Sequence, residues 1–229
     1  MRINRQTVRN TASAGAIGVV LVTVSLLPGL SRTTVQAQPH DAGTNARVMT
    51  ASQVTFRDAM RRLWSDHVFW TREYVIAAVS GTEDAKAAAA RLMKNQEDIG
   101  AAIAPFYGGQ AGTQLTALLK EHIAIAVDVV AAAKAKDDSK LADANRRWRQ
   151  NATAIADFLS RANANWPRAA LVEAMNMHLD TTTREVVDRL RGNYADDVAA
   201  FDAVYDHILH MADVLSEGII KQFPQRFAS

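Results

Sequence analysis

Leu63-Trp64-Ser65-Asp66-His67-Val68, Leu118-Leu119-Lys120-Glu121-His122-Ile123 and Ala174-Met175-Asn176-Met177-His178-Leu179 each set one histidine inside an apolar helical run. The three histidines are spaced 55 and 56 residues apart. A second series, Asn95, Asn151 and His207, advances by 56 residues at both steps. Two series with one period predict an internal repeat. The midpoints of the pairs fall on Gly81, within Lys136-Asp137-Asp138, and between Gly192 and Asn193. These are residues that suit a chain reversal. In an antiparallel hairpin, residues equidistant from the turn lie at one height. His67 is therefore expected to face Asn95, His122 to face Asn151, and His178 to face His207.

Outward from these stretches the text stays helical. Apolar residues recur at three- and four-residue steps, as in Leu115, Leu118, Leu119, Ile123 and Ala126, and not in strand alternation. From residue 51 onward proline occurs only at Pro105, Pro167 and Pro224. The expected fold is all-α: a six-helix bundle built from three tandem helical hairpins, with helices near 52–79, 83–104, 110–135, 139–163, 168–190 and 194–222. Pro105-Phe106-Tyr107-Gly108-Gly109 and Asn163-Ala164-Asn165-Trp166-Pro167 read as the longer joints between hairpins. Closure into a pseudo-threefold bundle and open stacking both fit the repeat.

Residues 1–37 have the layout of an export signal. Arg2, Arg5 and Arg9 precede an apolar stretch, Ala14 to Leu30, and Val35-Gln36-Ala37 offers a cleavage site after Ala37. Left uncut, residues 14–30 would serve as a membrane tether. Residues 38–50 are polar and small, suited to a linker, and 51–229 form the helical domain. The expected location is extracytoplasmic: secreted, periplasmic or anchored.

Four of the 26 basic residues lie in the first 37 positions, with no acid there, leaving 22 basic against 24 acidic residues. A near-neutral body gives no electrostatic footprint for nucleic acid. The absence of cysteine excludes disulfides and thiolate metal sites.

Two readings of the polar series follow. In one, His67 with Asn95 and His122 with Asn151 are satisfied core pairs that fix hairpin register. In the other, the third unit departs from the pattern and holds a transition metal. There His207 replaces asparagine, His210 follows three residues later, and His178 lies opposite. Asp213, with Asp206 and Asp180, offers a fourth ligand or an outer partner. Zinc, copper or iron would suit such imidazoles, and Met175 and Met211 would favour copper. The Glu-x-x-His pattern of a di-iron bundle is absent, as are the His-Glu-x-x-His, Gly-x-Ser-x-Gly and phosphate-loop motifs. The expectation is thus a binding module, or a structural bundle meeting an envelope protein, ahead of a hydrolase or transferase.

Leu63 to Arg72, Leu92 to Gly100, Leu118 to Ile123 and Met211 to Ser216 together resemble a family of exported all-helical bacterial proteins. The resemblance covers about residues 55–227. Some members carry the labels glycosyltransferase or acetylglutamate kinase. The first activity normally needs an α/β nucleotide-binding fold and the second a phosphate-cradling loop, and these residues supply neither.

Overall fold

The computed structural model describes residues 49–229. The expected leader, its cleavage site and nearly all of the expected linker lie outside the described residues. Six helices follow one another: α1 Ala51–Ser80, α2 Ala85–Tyr107, α3 Gly109–Ala135, α4 Asp138–Ala162, α5 Arg168–Arg191 and α6 Tyr194–Gln222, then a short 3-10 turn, Pro224–Phe227. No strand occurs among the described residues. No helix among them is long and apolar enough to cross a membrane.

Each helix packs on its neighbours in the chain, and α1 packs on α6, so the six form a closed ring. α1, α3 and α5 also touch one another across the inside. Apolar side chains at helical spacing fill that interior, among them Met60, Val68, Ile99, Leu119, Ile155, Leu179 and Ile208.

Local chemistry sets the helix ends. Thr50 starts α1 with a capping box, its hydroxyl accepting from the Gln53 N–H while Gln53 Oε1 accepts from the Thr50 N–H. α3 stops at Lys136, which takes the left-handed conformation at φ 54° without being glycine. The Pro105 stretch is not the long joint expected from its composition. α2 runs through Pro105 to Tyr107, and Gly108 alone separates it from α3. Proline at position 105 has no N–H for the Ala101 carbonyl, and Ala101 is exposed, so that carbonyl can turn to water. The backbones of α2 and α3 then nearly touch. A Cβ on Gly100 would lie 2.6 Å from the Gly112 carbonyl oxygen, and one on Gly112 would lie 2.6 Å from that of Gly100.

The two ends of the domain meet. The Ser52 N–H donates to the Ser229 carbonyl at 3.0 Å, and the Thr50 hydroxyl donates to that of Phe227 at 2.9 Å. Phe56, Phe106 and Phe227 close this end, with ring centres 5.1–5.6 Å apart.

Candidate functional site: a buried histidine core

His67, His122 and His178 come from α1, α3 and α5, the three helices that touch inside the ring, and all three are buried. The His178 ring lies 5.7 Å from His67, 6.2 Å from His122 and 6.2 Å from His207. Burial pushes His67 down to about 3, helped by repulsion from His122, and His122 down to about 4. It also holds His178 well below the usual imidazole range and lowers His207. The rings are neutral at pH 7 and pack without mutual charge repulsion.

The His122 environment fixes its tautomer. The Trp148 indole N–H donates to His122 Nε2 at 3.1 Å, so the ring proton sits on Nδ1 and is donated to Asn151 Oδ1 at 2.9 Å. Both nitrogens are committed. The Asn151 amide donates onward to the Leu118 carbonyl at 3.1 Å and to Glu121 at 3.0 Å.

His67 has a different partner from the one expected. Asn95 donates to the Leu63 carbonyl at 2.9 Å, and it is Gln96 Nε2 that meets His67 Nδ1, at 3.2 Å. The same Gln96 nitrogen faces Leu92 O and Asn95 Oδ1, both acceptors, so it is the donor toward His67. Successive helix residues point about 100° apart. Equal height therefore does not guarantee facing side chains, and the longer glutamine makes the reach.

His178 stacks on His207 at an interplanar angle of 19°, and its Nδ1 has no hydrogen-bond partner among the described residues. His207 Nε2 donates to the Ala174 carbonyl at 2.9 Å. Asn95, Asn151 and His207 thus each donate to a carbonyl four residues before a core histidine.

The structure brings His178 and His207 together and places His210 and Asp213 on other sides of α6. Three-residue steps drift by about 60° around a helix, so residues 207 and 213 diverge by about 120°. His207 turns toward α5, while His210 is exposed. Asp213 faces α1, where Arg57 Nε and Arg61 Nε reach Oδ1 at 2.8 and 2.7 Å. Hydrogen bonds from Arg57 and then Arg61 hold its carboxyl far below the usual range. Asp180 pairs with Arg149 at 2.6 Å, and Asp206 lies on the solvent side of α6. Among the described residues, no group of three or more His, Cys, Asp or Glu is placed to hold a metal ion.

A second polar cluster had no sequence signal. Arg72 of α1 pairs with Glu185 of α5 at 2.8 Å and with Asp197 of α6 at 3.0 Å, and Arg189 reaches Asp197 at 3.3 Å. Burial raises Glu185 to about 7 despite Arg72, with the charge on Asp197 adding to the rise. The Arg72 guanidinium also lies 4.6 Å over the Phe201 ring. This cluster ties the first helix to the last two.

Of the aromatic residues of α1, Trp64 is buried and Phe69 lies outside the core, 48% exposed.

No family model matches the chain, and no curated protein or solved structure does so. Nothing in these comparisons bears on the resemblance to exported helical proteins.

Proposed function

We propose that this chain is a non-enzymatic helical module of the cell envelope, acting by binding or scaffolding, with His67, His122, His178 and His207 serving the core. The observation that supports this reading is the placement of Asp213, bonded to Arg57 and Arg61 and away from the adjacent His178 and His207, while His122 has both ring nitrogens engaged by Trp148 and Asn151. Such a ring, neutral and buried, fixes register between helices in the way a buried asparagine fixes a coiled coil. His207, committed to the Ala174 carbonyl, extends the same role to α5 and α6.

The body is read as three copies of one helical hairpin, with a period of about 56 residues. The spacing of the two polar series supports this, as does the thrice-made contact to a carbonyl four residues before each histidine. Placement outside the cytoplasmic membrane is supported by the sequence of residues 1–37, with a cut leader and a retained tether at 14–30 as its two forms.

Metal analysis of protein purified without an affinity tag tests the role of the histidines. The expected result is no stoichiometric zinc, copper or iron, and a melting temperature that added zinc or copper does not move. A stoichiometric metal lost in both His207→Ala and His210→Ala would overturn this reading and establish a transition-metal site in its place.

A further inference from the structure

Where the joint between α4 and α5 meets α6, the surface carries a partly open hollow of about 130 Å3. Trp166, Leu171, Met211 and Leu215 wall it, and Ala170 and Ala174 line it where larger side chains would fill it. His210 brings an imidazole to the lining. The other side chain there with a hydrogen-bonding atom is Trp166, whose indole N–H is committed to the Val214 carbonyl at 3.3 Å.

The hollow is built into the fold. Trp166 lies flat against Gly218, where an added Cβ would fall 1.9 Å from Nε1, and Tyr107 backs the indole with ring centres 6.0 Å apart. The Asn163 side chain holds the joint in shape. Its carbonyl oxygen accepts from the Asn165 N–H at 2.9 Å, and its amide donates to the Tyr107 hydroxyl at 2.9 Å. The wall is therefore formed before any occupant arrives, which removes an ordering cost from binding.

We propose that this hollow is a binding site for a small apolar molecule about the size of one aromatic ring, carrying a single hydrogen-bonding group such as a hydroxyl. The size argument is direct: an apolar cavity of about 150 Å3 admits benzene. The apolar walls exclude a charged or highly polar guest, because they offer it no partners. His210, exposed and joined to the rim, supplies the one polar contact and orients the hydroxyl outward. The site stands independently of the role assigned to the buried histidines.

Titration of the protein with phenol and with benzene, followed by the methyl NMR signals of Met211, Ala170 and Ala174, tests the proposal. Both molecules are expected to shift these signals saturably. Ala174→Leu, which fills the hollow, is expected to abolish the shifts while the circular dichroism and melting of the bundle are retained. Ala170→Met serves as a second filling variant. His210→Ala is expected to weaken phenol about fivefold, the loss of one hydrogen bond, and to leave benzene unchanged. Absence of saturable shifts, or shifts that survive both filling variants, overturns the site. Phenol binding unaltered in His210→Ala overturns the polar half of the assignment.

Discussion

His207 donates from Nε2 to the carbonyl of Ala174 at 2.9 Å, where Asn95 and Asn151 use side-chain amides on Leu63 and Leu118. An imidazole and an amide do the same work in three places. Ala174 lies inside α5, so its carbonyl already has a helical partner and His207 adds a second. His207→Ala is therefore expected to cost about 1 kcal/mol. His207→Asn should recover much of that, as read by urea unfolding. Equal losses in the two variants would mean that the packing of the ring, and not its N–H, is what matters.

Asn151 carries more. Truncation to alanine leaves the His122 Nδ1–H buried with no acceptor, and is expected to cost about 2–3 kcal/mol. Trp148→Phe frees His122 Nε2 instead. Long-range 1H–15N NMR of the imidazole should show the Nδ1–H tautomer in the native protein, retained in Trp148→Phe because Asn151 Oδ1 still accepts from Nδ1, with only the Nε2 signal shifted by loss of its donor. A mixture of tautomers in the native protein would contradict the arrangement described.

The pH dependence follows from opposed groups. An unfolded histidine takes up a proton near pH 6.5, whereas folded His67 and His122 resist until about 3 and about 4. Acid therefore favours the unfolded chain. From pH 6.5 down to about 4, each such histidine removes about 1.4 kcal/mol of stability per pH unit. Glu185 acts the other way. Folded, it keeps its proton up to about 7, so its contribution is present at acid pH and fades as pH rises from about 4.5 to 7. Several histidines outweigh one carboxyl, and the melting temperature is expected to climb between pH 4.5 and 7. Glu185→Gln removes the opposing slope and should steepen that climb. A flat profile would mean that the imidazoles are charged in the folded state.

Lys136 ends α3 in a left-handed conformation at φ 54°. A side chain there costs about 1 kcal/mol that glycine would not. Lys136→Gly is expected to stabilise the protein by that amount. Gly100→Ala should do the reverse: its Cβ would meet the Gly112 carbonyl at 2.6 Å and the Thr116 hydroxyl closer still, forcing α2 off α3. A loss of about 2–3 kcal/mol is expected, in the range of overpacked cores. Thermal or denaturant unfolding of the two variants checks both signs.

Some of this was readable beforehand and some was not, for physical reasons. Helical spacing of apolar residues, with glycines at 81 and 192, marks where helices run and stop, and six helices are present. The His122–Asn151 contact follows from equal height across a turn. The His67 partner does not, because height says nothing about rotation, and residues 95 and 96 differ by about 100°. The same blindness affects His210 and Asp213: sequence proximity sets them beside His207, and helical drift turns them away from the adjacent His178 and His207. Arg72, Glu185 and Asp197 are far apart in the chain and share no period, so only the closed ring discloses their contact. Pro105 misleads in the other direction, since α2 continues two residues past it and only Gly108 separates it from α3.

Because the backbone of Ser52 is bonded to that of Ser229, the first and last turns of the domain share one pole. A pull on the chain just before residue 50 is transmitted at once to the C-terminal residues, and these hydrogen bonds bear the load ahead of any helix. The reversals at Gly81, Lys136 and Gly192 lie at the opposite pole, out of the path of that force. A bundle held by its N-terminal side is thus gripped at its seam, with its three loops facing away from the attachment.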